Sequence, residues 1–372
     1  MNSNAVFGKL PAISILILSV GLANHVLIVP LILQVASRDS WMSPLLVCLI
    51  GLLWVTFPLF GTMKRLDEPF WSVVDRVMGK KAAWLLKAPI LLLLVCVAFN
   101  TLVDSVSWSK TTYLPLTPNY VFALAMLGVS LYAVSKGLRT IAFTSAILLP
   151  FVLLLGDFVM SANMPHKDYH YLKPFLEEGW MPVLAGAALC ACTMLEINTL
   201  VLFQHHVRNK FKLPQLLLLM LCLVLLTLGP LTGAIVQFGP DEAAKMRYPA
   251  FSQWRLVQIG KFVEHLDFFA IYQWLSGSLI RISLSLYLVK EMLGISKPKA
   301  SAWYGWTFLA GLTPLVQFVT DHMVPYRKVM SLYFPISGLV VLIVSLAGWL
   351  IAVLAAKPRK DAPRRQPQEQ AP

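Results

Sequence analysis

The sequence predicts an all-α integral membrane protein of about ten transmembrane helices, arranged as a five-plus-five inverted repeat. Three observations predict it. The 372-residue chain is 58% hydrophobic and only 13% charged, whereas a soluble domain is about half apolar and a quarter charged. The apolar residues come in runs of about 20, the length that crosses a hydrocarbon core as a helix. The basic residues, which set a net charge of +13, fall between those runs. There they fix topology at a membrane surface. The expected partner is therefore the lipid bilayer, with no nucleic acid.

Ten runs qualify as spans: 10–35, 42–63, 85–107, 119–136, 140–161, 180–203, 213–238, 267–289, 303–322 and 329–355. Each must be helical, because lipid offers no partner to bare backbone groups. The first run is too long for a cleavable signal peptide and is followed by many more. With the N-terminus inside, the inner segments hold about 20 basic residues and the outer ones about 10, so both termini are expected in the cytoplasm. Lys64, Arg65, Arg76, Lys80 and Lys81 follow the second run, and Arg208, Lys210 and Lys212 follow the sixth. The transmembrane domain is expected over 1–355, with repeats at about 10–161 and 180–355. The stretch 356–372 is basic and proline-rich, the composition of a disordered cytoplasmic tail.

Two connections are more than links. Residues 64–84 mix basic and aromatic side chains, as a segment on the inner surface would. In 250–266, Phe251, Trp254, Val257 and Phe262 recur at helical spacing among charges. That pattern predicts a helix lying in the outer interface, as either an ordinary amphipathic helix or a gate.

Five spans per half place the halves in opposite orientations, the plan of many secondary transporters, whose ligand sits at the midplane between interrupted helices. In the first run Gly21 is followed by Ala23-Asn24-His25 and then Pro30. In the sixth, Gly186 opens a small-residue stretch through Cys190 and Cys192 to Thr193. These stretches can be read as helix breaks or as seams of close packing.

Charged and polar side chains within spans are functional candidates by default. Asn100 and Asp104 lie four apart in the third run, on one face. Glu196, with Asn198 nearby, is in the sixth. Trp274, Ser278, Arg281 and Ser285 trace one stripe of the eighth, and Tyr333 and Ser337 one of the tenth. These faces can line a common cavity. Alternatively, Arg281 pairs with Asp104 or Glu196 as a lock between helices, Asp104 reaches water near the outer interface, and the serines bond back to their own helix. His25 suits hydrogen-bonded packing better than a proton relay, and His205-His206, at a helix end, can bond the last carbonyls. All five cysteines fall inside apolar runs and read as packing residues. Cys190 and Cys192, two apart, point to different helix faces. No zinc, phosphate-loop or nucleophile-elbow motif appears, so neither enzymatic activity nor a metal or cofactor is expected.

Several of these residues carry a family resemblance. Tyr248-Pro249, then Arg255 through Gly260, then Glu264-His265-Leu266-Asp267, then Trp274, Gly277 and Ile280 through Leu284 form one run. Leu172-Lys173-Pro174-Phe175 with Gly179 and Glu196 forms a second. The chain resembles the endospore germination permeases, the B-type membrane subunits of nutrient germinant receptors. The resemblance implies the fold of the amino acid–polyamine–organocation superfamily and a place in the spore inner membrane. It also implies a small-molecule germinant such as an amino acid, an A-type membrane subunit and a C-type lipoprotein as partners. The chain departs from the family at Ala23-Asn24-His25, where a glycine-containing stretch is the family pattern. The expected function is a receptor subunit that senses a small nutrient in a transporter-like pocket. The expected ligand contacts are Gly21, Ala23, Asn24, Asn100, Asp104, Gly186, Cys190, Trp274, Ser278 and Tyr333, with Glu196 and Arg281 as a helix lock or gate. The alternatives are an active amino acid or amine symporter of the same fold and a structural scaffold without a small ligand.

Overall fold

The computed structural model describes residues 6–259 and 264–356. Gly260 and Phe262, and the tail 357–372, lie outside the described residues. Among these residues the chain is helical and forms no sheet; an isolated bridge joins Phe7 to Val207.

Ten long helices coincide with the ten apolar runs. They are α1 (9–36), α2 (42–65), α3 (Lys80–Thr112), α4 (Asn119–Lys136) and α5 (Leu138–Ala162), then α6 (Trp180–His206), α7 (Leu213–Phe238), α8 (Phe269–Met292), α9 (Pro298–Asp321) and α10 (Met323–Ala355). By length and hydropathy alone, seven described segments can cross a membrane. One of them, Lys9–Arg65, contains both α1 and α2. A straight helix of its 57 residues would reach about 85 Å, far beyond a bilayer core of about 30 Å. Ser37, at φ 39° and ψ −119°, breaks it, and the 3-10 turn Ser37–Trp41 follows. Both limbs then pack on α6. α8 and α9 are long enough at 24 residues each but are more polar; α8 alone carries Arg281, Lys290 and Glu291.

α1 is the axis of the bundle. Ala12, Ile15 and Leu16 are wholly buried, and α5, α6, α7 and α8 pack around it. α8 comes closest at Gly277, where an added Cβ would sit 3.3 Å from the Leu18 carbonyl oxygen and 3.2 Å from Leu22. The outer helices show apolar faces, such as Ile147, Phe151 and Leu154 on α5. Such a band suits lipid and would be a liability in water.

Three of these helices are interrupted: α2 by the π-helical turn Val55–Leu59 around Pro58, and α1 and α6 at matching depths. In α1, the α-helix Lys9–Leu22 gives way to the π-helical turn Ala23–Leu27, and α-helix resumes at Val29–Ala36 with Pro30 in its first turn. In α6, the α-helix Trp180–Met194 gives way to the 3-10 turn Leu195–Asn198 before Thr199–Phe203. The limbs before the breaks are 14 and 15 residues long. The first break falls at the residues expected from sequence. The second does not: α6 runs unbroken through Gly186. A Cβ there would meet Ser43 Oγ at 2.5 Å and Ile32 Cγ2 at 3.2 Å. Gly186 therefore serves the close approach of α1 and α2, and the break lies at Glu196 instead.

The connections pack against the long helices. A helix at Phe70–Met78 buries Phe70, Val73 and Val74, and its Asp75 pairs with Lys87 at 2.7 Å. Among the described residues of 250–266, the α-helical stretch ends at Trp254, as part of the helix Pro249–Trp254. Phe251, Trp254 and Val257 are all buried in the protein, so the apolar face expected in the interface packs inward. Trp254 is fixed there by donating from Nε1 to Gln273 Oε1 at 2.8 Å.

Candidate ligand site

The two breaks meet. Asn24, in the π-helical turn of α1, donates from Nδ2 to the Met194 sulfur at 3.2 Å. Met194 is the last α-helical residue before the turn of α6 that carries Glu196. The Asn24 side chain is fully buried, and its Oδ1 has no hydrogen-bond partner. Nearby, Glu196 faces Arg281 of α8. Arg281 Nη1 lies 2.5 Å from Glu196 Oε2, and Nη2 lies 2.8 Å from Oε1. This paired geometry suits a guanidinium better than any other cation. Arg281 also donates from Nη1 to the Ser19 carbonyl at 2.9 Å and from Nε to Thr101 Oγ1 at 3.1 Å. Its side chain is 2% exposed. A charge so enclosed is tolerated only when its donors are met, and here α1, α3 and α6 each meet some of them.

A cavity of about 70 Å³ adjoins the pair, on the side of Asn198 and Ser285. One water takes about 10–15 Å³ on this measure, so the space is roomy enough for several. Its polar lining comes from Ser19, Glu196, Asn198, Thr199, Arg281 and Ser285, together with Thr62 and Ser345. Its apolar wall includes Phe70, Ile90, Leu94 and Val97. A few convergent polar groups in an apolar enclosure are the usual make-up of a small-molecule site.

A second ion pair lies toward the other end of the bundle. Asp104 of α3 accepts from Arg247 Nη2 at 2.5 Å, and Arg247 comes from the α7–α8 connection. The Asp104 side chain is 4% exposed, so it neither reaches water nor pairs with Arg281. The reason is spacing on α8. Arg281 lies seven residues past Trp274, about 10 Å along the helix, and Trp274 is already level with the aromatic cluster near Asp104. Trp274 stacks on Trp108 with centroids 4.3 Å apart, and Tyr248 meets Trp274 edge-on at 5.3 Å. Phe251 and Tyr113 close the cluster around Trp108. Burial, and then the Asp104 carboxylate, push the Tyr248 phenol up to about 12, so it remains a neutral donor at any physiological pH.

The other expected contacts divide between these two centres and ordinary packing. Ser278 shares a 2.8 Å hydrogen bond with Ser105 of α3. Asn100 accepts from Tyr326 of α10 at 3.1 Å, and the Tyr333 hydroxyl is buried without a partner. Gly21 leaves room for Leu226, whose Cδ1 an added Cβ would approach to 3.0 Å. Ala23 and Cys190 are fully buried in the hydrophobic core. His25 bonds the Leu226 carbonyl at 3.1 Å, a packing role. His205 and His206 bond Glu291 of α8 at 3.0 and 2.8 Å, not the last carbonyls of α6. Sequence reasoning missed Thr199, Ser345 and Arg247. Arg247 sits in a loop 143 residues from Asp104, and only the adjoining Tyr248-Pro249 marks its surroundings.

The geometry is that of a polar core built around broken helices, and comparison with known proteins places it. A family model described as spore germination protein matches residues 10–304, which contain both breaks and both ion pairs. The chain belongs to the spore germination protein family. It is 41% identical over 286 residues to spore germination protein XB of Bacillus anthracis, across 77% of this chain and 80% of that one. It is 26% identical over 264 residues to spore germination protein KB of Bacillus subtilis (strain 168), covering 68% and 69% of the two chains. Spore germination protein GerQB of Bacillus cereus is 22% identical over 275 residues, covering 71% and 74%. This chain is thus a multi-pass membrane protein of spore germination.

Proposed function

We propose that the chain is the membrane subunit of a germinant receptor, and that it senses a small nutrient, such as an amino acid, in the cavity beside Glu196 and Arg281. The observation that carries the reading is a buried, charged, partly open cavity lined by the α6 break, which also meets the α1 break through Asn24 and Met194. A break exposes backbone groups that are tolerated where they line a cavity. An amino acid brings the carboxylate and ammonium that such groups, with Arg281 and Glu196, can bind. The matching 14- and 15-residue limbs before the breaks support a five-plus-five inverted repeat. The relatives are germination proteins, which favours a receptor over a symporter of the same fold. A ligand that binds one packing of α1, α6 and α8 better than another shifts the population between them. That shift would pass to an A-type membrane subunit and a C-type lipoprotein in the spore inner membrane. Both termini lie in the cytoplasm on this reading.

The reading is tested in spores that lack the chain. They should lose germination with one nutrient class and regain it when the chain is restored, and the A-type and C-type subunits should co-purify with it. Normal germination of the deleted spores with every nutrient would defeat the proposal.

A further inference from the structure

Two adjacent histidines at the end of α6 and a glutamate in the last turn of α8 converge on one point. His205 and His206 belong to the 3-10 turn Gln204–His206. Their Nε2 atoms lie 3.0 and 2.8 Å from the same oxygen, Oε1 of Glu291. Meanwhile Glu291 Oε2 and His205 Nδ1 are buried with no hydrogen-bond partner. The turn is held from behind by backbone: Val6 N donates to the His206 carbonyl at 2.8 Å, and Arg208 N to the Phe7 carbonyl at 2.9 Å. A cavity of about 190 Å³, lined by His205, Gln204, Asp67 and Lys210, opens beside it. The three side chains are 14%, 17% and 30% exposed, enclosed enough to be fixed and open enough for exchange.

We propose that His205, His206 and Glu291 form a site for a divalent transition-metal ion, best suited to zinc. Two imidazole nitrogens and a carboxylate oxygen are the protein ligands of an open zinc site. Imidazole donors select such ions over magnesium and calcium, which take oxygen ligands. The three ligand atoms all lie within 4.8 Å of one another. A tetrahedral ion with bonds of about 2.0–2.1 Å holds its ligands roughly 3.3 Å apart. The two nitrogen–oxygen separations, 3.0 and 2.8 Å, need open by only a few tenths of an ångström. Three protein ligands leave the fourth position to water. The ion would tie together the ends of α6 and α8, the two helices already joined by Glu196 and Arg281. Neighbouring histidines with a glutamate 85 residues away have no motif spacing, which is why the site is invisible in the sequence.

The test uses the full-length protein in detergent, free of any polyhistidine tag, stripped with chelator and titrated with zinc chloride. Elemental analysis and thermal melting are read together. One zinc per chain should be retained, and the melting temperature should rise with it. Glu291→Gln keeps an oxygen within reach of both rings but gives up the charge. This variant and His206→Ala should bind zinc at least tenfold more weakly and show no melting shift when it is added. His170→Ala, which removes an exposed ring elsewhere, should change neither binding nor shift. The proposal is overturned if the wild type retains no zinc, if Glu291→Gln binds it with unchanged affinity, or if binding disappears with His170.

Discussion

Arg281 of α8 grips both carboxylate oxygens of Glu196, at 2.5 and 2.8 Å, beside the point where α6 leaves α-helical geometry. The pair thus ties the α6 break to α8, and through the Ser19 carbonyl it ties both to the limb of α1 that precedes its own break. A ligand that altered any of these contacts would be felt by three helices.

Removing the Arg281 charge strands Glu196 in an enclosed site. Breaking a buried pair from one side costs about 3–5 kcal/mol, a large share of the stability of most proteins. Arg281→Met should therefore lower protein abundance in the membrane severalfold. Adding Glu196→Leu should restore much of it, because the stranded charge is gone. Immunoblots of the single and double variants check this; wild-type abundance in Arg281→Met would show that the pair carries no structural weight.

The pair between Asp104 and Arg247 should matter less. Arg247 is 27% exposed, so solvent screens part of the interaction. A double-mutant cycle with Asp104→Asn and Arg247→Met, read by thermal melting in detergent, should give a coupling of about 0.5–3 kcal/mol. It should be smaller than the coupling between Glu196 and Arg281. Equal or larger coupling would mean that the connection bearing Arg247 is as rigid as the core.

Gly186 now separates packing from binding. Valine there would drive into Ser43 and Ile32, and Ser43 is held by its 3.0 Å bond to the Val183 carbonyl. Gly186→Val should reduce protein amount, by overpacking of about 1–3 kcal/mol, and leave the germinant threshold of the surviving protein unchanged. A raised threshold at normal abundance would instead return Gly186 to the ligand site.

Topology is open to labelling. Cysteines placed at Ser3 and at Arg365 should react with an impermeant reagent only after the membrane is broken, if the basic excess of the inner segments sets the orientation as proposed. Reaction of either one in intact cells would invert or break the proposed orientation.

The elements were legible to different degrees, for physical reasons. Lipid imposes long apolar helices, so the ten helices could be read from hydropathy with little else. The break in α1 could be read because Asn24 and His25 are misfits in an apolar run just before Pro30. The break in α6 was misplaced because glycine has two uses, and a single sequence cannot separate close packing at Gly186 from a break near Glu196. Glu196 and Arg281 were found as costly charges within spans, but which partner each takes depends on helix depth. Asp104 found Arg247, a loop residue no periodicity could assign. The pattern of Phe251, Trp254 and Val257 told correctly that one face is apolar, and not that this face meets protein.

Nutrient sensing in the cavity beside Glu196 and Arg281 is open to a test at Ser345. Ser345 lines that cavity from α10 without bonding to the ion pair. Ser345→Leu fills the space and leaves the pair intact, and Ser345→Ala serves as the neutral control. Germinant dose response is measured on spores of each variant alongside protein level. Both variants should show normal abundance, and the germinant threshold should rise at least tenfold for leucine but not for alanine. A wild-type threshold in Ser345→Leu spores at wild-type abundance would contradict it and place the sensing site elsewhere.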